Sequence, residues 1–306
     1  MPIFVDSNGR LNKVTEVPFA LEKEMQKLVE DNLQVVFRLE KVKSEFPLNG
    51  LRIDTLAFDP EVNAFVIIEY KRDKNFSVID QGFAYLSLML NNKADFILEY
   101  NENAKSPLKK DQLDWSQSRV VFVAPTFTNY QQQAINFKDL PIELWELTRY
   151  NNHLILFNQL RSPDSSESIK KISKENALVQ KVSDEVKVYT EEDHLISASE
   201  PVEALYQEIK SALLAFGDDV QVKPKKVYIA FTASSNFVDI TIQKKQLKCW
   251  LNLKVGELKD PFGLAKDVSN IGHYGNGDYE INIDRGDLIN DFVALAKQAY
   301  LRNGSL

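Results

Sequence analysis

The 306-residue chain has a single cysteine, Cys249, so it can form no internal disulfide and cannot build a cysteine-rich zinc site. Its three histidines, His153, His194 and His273, lie too far apart for a local zinc motif. No stretch approaches the roughly 18 uninterrupted apolar residues of a membrane-spanning helix, so no contact with a membrane is expected. The opening MPIFVDSNGR lacks a basic stretch followed by an apolar run. No signal peptide is therefore expected, and the cytoplasm is the expected compartment. A Gly-rich phosphate loop of the nucleotide-hydrolase type is also missing, which argues against ATP-driven translocation by this chain. Positive charge is not in surplus either: 37 Lys and Arg against 44 Asp and Glu give a net charge of −7. Divided at Leu160, the first part holds 18 basic and 22 acidic residues and the second 19 and 22. Attachment to nucleic acid by bulk charge is not expected. A local patch beside a metal ion remains compatible, because a metal site needs carboxylates of its own.

What remains is an ordinary globular composition, 44% hydrophobic and 26% charged. At roughly 100–200 residues per domain, the length suggests two domains. Residues 19–32 (FALEKEMQKLVEDN) put Leu21, Met25, Leu28 and Val29 on one helical stripe. The Asn49-Gly50 turn precedes RIDTLAF, and Asp59-Pro60 leads into FVIIEYK; both runs read as antiparallel strands. Residues 78–91 carry Ile79, Phe83, Leu86 and Leu90 and read as a second helix. VVFV at 120–123 reads as a buried strand, 130–137 as a further helix, and 143–148 with 154–157 as a closing hairpin around Asn151-Asn152. The expected fold is α/β, a mixed sheet flanked by helices over residues 1–160. A Ser/Lys/Glu-rich linker over 161–195 follows, and then a smaller α+β domain over 196–306 built on an antiparallel meander. Asp287 is the expected N-cap of the last helix.

The segment richest in chemistry is Asp54-x14-Glu69-Tyr70-Lys71. Side chains alternate along a strand, so Glu69 and Lys71 share a face while Tyr70 points away. A hairpin can bring Asp54 beside Glu69, and two adjacent carboxylates repel unless protonated or bridged by a cation. Magnesium suits such a pair, as a hard cation that takes carboxylate and carbonyl oxygens and keeps waters. A Glu-x-Lys strand is also a common solvated, salt-bridged face, and that reading stays open. Gln81 and Tyr85 follow at i and i+4 on one face of the next helix.

GLRIDTLAF, VIIEYKRD and QGFAY, after an acidic helix, together resemble the PD-(D/E)XK nuclease superfamily. The likeness is to the branch with a Gln-xxx-Tyr element, as in RecB-like nucleases and the archaeal mismatch nuclease NucS. The order helix, three strands, helix, strand also matches, over roughly residues 19–125 and out to 160. The resemblance implies a restriction-endonuclease-like fold and a Mg²⁺- or Mn²⁺-dependent endonuclease. Asp54 and Glu69 would hold the metal, with the Tyr70 carbonyl as a third ligand, and Lys71 would position the attacking water. Glu22 would be the helix glutamate, with Glu24 and Glu30 competing for that role. Gln81, Tyr85 and Arg72 would orient the site or the substrate, with Arg52 and Lys74 adding to a local phosphate-binding patch. Ile53 stands where the family name has proline. DNA is the expected partner, in a restriction, repair or defence context. A homodimer is left open, as is a catalytically silent binding module that keeps the fold.

The second half carries no comparable chemistry. The runs KVYIAFTASSNFVDITIQKKQLKCWLNL and DPFGLAKDVSNIGHYGNGDYEINID resemble an accessory domain sometimes labelled "predicted transport protein", which would select substrate or partner. His273 and Tyr274 either brace a glycine-rich turn or face a ligand. Lys244, Lys245 and Lys248 with Trp250 form either a basic stripe or a protected strand edge.

Overall fold

A computed structural model describes residues 2–72, 76–103, 107–137, 139–161, 166 and 177–304. The chain divides into two units, 1–188 and 189–306. The first contains β1 (Phe4–Ser7), β2 (Arg10–Lys13), α1 (Glu22–Glu30), α2 (Leu33–Val36), β3 (Glu40–Leu48), β4 (Leu51–Asp59) and β5 (Ala64–Tyr70). It continues with α3 (Val78–Asn91), α4 (Lys93–Asn103), β6 (Arg119–Ala124), α5 (Asn129–Ala134), β7 (Ile142–Arg149), β8 (Ile155–Leu160) and α6 (Ala177–Glu185).

Its main sheet runs β3-β4-β5-β6-β7-β8. β5, β6 and β7 are parallel neighbours, and the flanking pairs are antiparallel. This is a mixed sheet with helices on both faces. Asn49 (φ 48°) and Gly50 (φ 77°) link β3 to β4 through a two-residue turn closed by the Leu48–Leu51 pair. Two positive φ values match the right-handed twist of the strands, which is why Asn-Gly suits that place. One face of the sheet packs Ala57, Val66, Ile68, Tyr70, Val121 and Val123 against Met25 and Val29 of α1. The other packs Leu56, Phe65, Ile67, Val120 and Phe122 against Phe83, Leu86 and Met89 of α3 and Phe96 of α4.

Several elements of this unit escape the sequence pattern, β3 and α4 among them. β3 contains Pro47, which breaks the usual strand signature. It is tolerated because β3 lies at the sheet's edge, where a missing N–H forfeits no ladder bond on the open side. α4 has the weakest segregation of apolar residues among the longer helices of this unit, with Phe96 buried and Leu98 exposed.

The expected linker is also shorter than its composition suggests. Within 161–195, residues 177–185 form α6, and its Val182 is fully buried beside Val179 and Val186 in the core that α3 shares. α6 is tied further by Lys93 Nζ to Glu185 (2.5 Å) and Lys181 Nζ to Asn91 (2.8 Å). The remainder of the linker, apart from 161 and 166, up to residue 176 lies outside the described residues.

The second unit contains α7 (Glu191–Leu195), α8 (Glu200–Leu214), β9 (Gln221–Pro224), β10 (Ile229–Thr232), β11 (Asn236–Ile242), β12 (Leu247–Leu251), β13 (Lys266–Asp267), β14 (Tyr279–Ile283) and α9 (Ile289–Gly304). The sheet order is β13-β14-β12-β11-β10-β9 with every pair antiparallel. Leu205 and Ile209 of α8 and Phe292 and Leu295 of α9 share a core with Phe231, Ile240, Cys249 and Ile283. Asp287 is not the N-cap expected of it: it sits inside a 3₁₀ turn, Gly286–Leu288, that leads into α9, and it pairs with Arg285 at 3.0 Å.

The position of α6 is testable. Val182→Ala in the full chain should cost about 1–3 kcal/mol by urea denaturation, as for a buried aliphatic truncation. A loss below about 0.5 kcal/mol, as at an exposed site, would return this segment to the linker.

Candidate active site

The ladder between β4 and β5 ends at the Thr55–Ile68 pair. Beyond it the strands are joined through side chains. Asp54 N–H donates to Glu69 Oε1 at 3.1 Å, and Tyr70 N–H donates to Asp54 Oδ2 at 3.1 Å. Each carboxylate satisfies a main-chain donor of the other strand, a need that any buried N–H imposes. Lys71 Nζ lies 3.3 Å from Glu69 Oε2, so Glu69 has both oxygens engaged. Asp54 Oδ1 has no hydrogen-bond partner among the described residues.

Alternation along β5 places Tyr70 on the opposite face, where its hydroxyl lies 3.2 Å from Thr55 Oγ1. Glu69 is only 1% exposed. Burial, and then the neighbouring Asp54 charge, push its carboxyl up to about 7. Asp54 is raised as well, chiefly by burial, while the Tyr70 N–H and Lys71 favour its ionised form. A buried and a half-buried carboxylate with one lysine, on Glu69, carry an excess of negative charge, which a hard cation would neutralise. Among the described residues, no three His, Cys, Asp or Glu side chains are grouped to hold a metal. The donor set fits an ion held by two carboxylates and completed by main-chain oxygen and water.

Of the three helix glutamates, Glu22 reaches this end of the sheet. Its Oε1 accepts the Arg72 N–H at 2.8 Å, and its charge acts on Asp54. Glu24 instead lies 3.6 Å from Arg149, and Glu30 accepts from Thr55 Oγ1 at 2.7 Å on the α1 face. The Arg72 guanidinium donates to the Ala20 carbonyl, so it is tied to the segment that enters α1. Arg52 pairs with Glu45 at 2.7 Å. Lys74 lies outside the described residues.

α3 brings Gln81 and Tyr85 to the same cluster. Gln81 Nε2 donates to the Tyr85 hydroxyl at 3.4 Å, and that hydroxyl interacts with the Glu69 carboxylate, favouring its ionised form. Gly82 between them permits the approach. A Cβ there would lie 2.4 Å from Ile142 Cδ1, so the Ile142 side chain would have to give way to a larger residue.

Two residues of the site were not picked out by the sequence reading. Glu45 on β3 adds its charge to Asp54, and its positive φ of 54° gave no local signal, being neither Gly nor Asn. Gln26 is 6% exposed and donates to the Asp54 carbonyl at 2.8 Å. Its one visible signal was its place beside Met25 on a buried helix stripe. In the second unit the loop carrying His273 lies against its own sheet: the His273 ring stacks on Trp250 at 6.3 Å, and Asn276 N–H donates to Asp239 Oδ2 at 2.8 Å. Tyr274 is exposed, and Lys248 pairs with Glu280 at 3.2 Å.

The raised Glu69 carboxyl has a consequence for stability. A carboxyl with a folded pKa near 7 against an ordinary 4.5 binds its proton more tightly when folded. Its contribution is therefore full below about pH 4.5 and is lost as the pH rises towards 7. In metal-free protein, the stability of the parent relative to Glu69→Gln should fall by up to about 3 kcal/mol across that window. A difference that stays flat from pH 4.5 to 7.5 in denaturation experiments would contradict this.

Residues 191–303 match a family described as "Domain of unknown function (DUF5655)". Among solved structures, the chain is similar to a repair endonuclease from Pyrococcus abyssi, with 20% identity over 40% of this chain and 45% of that one, and a TM-score of 0.23. It is also similar to the chain of an EndoMS–dsDNA complex, with 18% identity, 42% and 47% coverage and a TM-score of 0.27. A third likeness is SfsA of Pyrococcus furiosus in complex with Ca²⁺, with 11% identity, 51% and 78% coverage and a TM-score of 0.25. The chain spans less than half the length of the two endonuclease chains, and likenesses this weak carry no argument about the site. Along nearly the whole length the match is far stronger to an "Uncharacterized protein" of Haemophilus influenzae, 49% identical over 299 residues, or 98% of this chain and 99% of the relative. The chain belongs to the same family as that Haemophilus influenzae protein.

Proposed function

We propose that the first unit is a metal-dependent nuclease that hydrolyses phosphodiester bonds in DNA, and that the second selects its substrate or partner. The observation that carries this reading is the mutual contact of Asp54 and Glu69 at the open end of β4 and β5, with Lys71 on Glu69. Asp54 and Glu69, with the Tyr70 carbonyl, would hold Mg²⁺ or Mn²⁺. When bound, such an ion supplies Lewis acidity towards phosphate and makes water a better nucleophile.

The chain's own groups have distinct tasks. The Lys71 ammonium sits where it can donate to the attacking water or to a phosphate oxygen that gains charge. In-line attack would leave 5′-phosphate and 3′-hydroxyl ends. Tyr85, braced by Gln81, would hold the Glu69 carboxylate in place by its hydroxyl, partly offsetting the effect of burial. Glu22 fixes the segment after β5 through the Arg72 N–H, and Arg72 would border the path of the substrate backbone. A homodimer would bring two such sites to two strands, and the cytoplasm is the setting in which DNA restriction, repair or defence would call on it.

A second reading is a recognition module that keeps the fold without catalysis. It is favoured by one observation, the lack of a third metal-binding side chain beside the pair among the described residues.

Incubation with linear, circular, single-stranded and branched DNA separates the two. With Mg²⁺ or Mn²⁺ the parent should cleave at least one form, and chelator should abolish cleavage. Lys71→Ala and Asp54→Asn should each lower the rate by about 100-fold or more, as expected on removing a group that stabilises developing charge. Intact DNA in every arm, with no heat of Mn²⁺ binding by calorimetry, would establish the module instead.

A further inference from the structure

Behind the carboxylate pair, on the α1 face of the sheet, lies a second polar cluster. Gln26 is buried in α1 next to Met25 and Val29, where an apolar side chain would satisfy the packing. Its amide nitrogen lies 2.8 Å from the Asp54 carbonyl, 3.1 Å from Glu30 Oε1 and 3.2 Å from Ser44 Oγ, so its two hydrogens are shared among three acceptors, of which the Asp54 carbonyl is nearest. Glu30 in turn accepts from Thr55 Oγ1 at 2.7 Å, and Thr55 meets the Tyr70 hydroxyl at 3.2 Å. Tyr70 N–H then returns to the Asp54 carboxylate at 3.1 Å. The chain of contacts closes on itself, from the Asp54 carbonyl round to the Asp54 side chain.

Side chains thus hold both main-chain groups of Asp54: its N–H by Glu69 and its C=O by Gln26. This happens one residue beyond the last paired position of β4 and β5; β3 still pairs with β4 at Ile53 and Thr55, but on the β5 side no ladder bond reaches Asp54. The main-chain groups of Asp54 that face β5 therefore take their partners from side chains. Buried polar networks are strongly orienting when every member is satisfied, because each lost bond strands a partner in low dielectric.

We propose that Gln26 is a positioning residue, which sets the direction of the Asp54 carboxylate by clamping the Asp54 carbonyl from the opposite side of the sheet. It touches neither metal nor substrate. The assignment rests on the metal-dependent reading given above. Its effect should be that of an outer-shell partner, about 10–100-fold in metal affinity.

Gln26→Met keeps the length and volume of the side chain and removes the donor. Gln26→Asn keeps an amide that is one methylene short of the Asp54 carbonyl, and serves if the first variant folds poorly. Ser44→Ala is the control, since it removes a different bond of the same amide. Two measurements are needed on full-length protein. Amide hydrogen exchange by NMR on metal-free protein reads the Asp54 and Tyr70 N–H groups directly. Mn²⁺ calorimetry reads the carboxylate pair.

Both Gln26 variants should speed exchange at Asp54 and Tyr70 by about tenfold or more, leave Ile67 protected, and weaken Mn²⁺ by about 10–100-fold. Ser44→Ala should do none of this. Unchanged exchange at Asp54, or faster exchange with unchanged Mn²⁺ affinity, would overturn the assignment and leave Gln26 as a packing residue. A parent protein that binds no Mn²⁺ would overturn the functional reading itself, a result distinct from either.

Discussion

The first unit turns on a shortage of backbone partners. Where β4 and β5 part, the Asp54 and Tyr70 N–H groups need acceptors, and the chain supplies two carboxylates in place of two carbonyls. The exchange brings acidic oxygens together inside the protein rather than on its surface. The surroundings follow from that choice. Glu69 is held near neutrality by burial, Lys71 offsets part of the charge, and Tyr85 and the Gln26 network fix the two strands from opposite faces. Such a cluster is poorly suited to stabilising a fold, because buried charge is costly unless fully compensated. A site of this kind is better explained by what it can hold.

The two helical layers do different work around it. α1 supplies a polar underside, in which Gln26 and Glu30 reach Asp54 and Thr55. α3 supplies a close apolar lid, brought down onto Phe122 and Ile142 at Gly82, with Gln81 and Tyr85 at its near end. The second unit is built otherwise. Its buried Asp239 is engaged by Asn276, and Trp250 is covered by the His273 loop, so its polar groups are spent on holding a loop to a sheet.

Strongly patterned elements were legible in the sequence. The period of α3, the Asn-Gly turn and the buried run of β6 all read correctly, because each depends on contacts within a few residues. The neighbourhood of Asp54 and Glu69 was legible too, since strand alternation and a hairpin suffice to bring them together. Other features depend on distant parts of the chain. β3 was hidden by Pro47, whose tolerance follows from an edge position visible only once the sheet is assembled. α6 resembles a linker in sequence because its valines are spaced among polar residues, and only the α3 core explains their burial. Among Glu22, Glu24 and Glu30, composition could not choose; the Arg72 N–H and the Asp54 charge distinguish Glu22. Gln26 carries no signal of its own, because a helix pattern marks apolar positions and not the place where a backbone carbonyl needs a donor.

The two-residue turn at Asn49-Gly50 has a wider implication. Surface loops normally absorb insertions and deletions freely. Here one added or removed residue would slide β3 against β4 and exchange the faces of every side chain on it. Phe46 and Leu48 would leave the core, and Ser44 would leave Gln26. Exposed and polar as it is, this turn should have kept a constant length as the family diverged, with length variation among relatives confined to other connections.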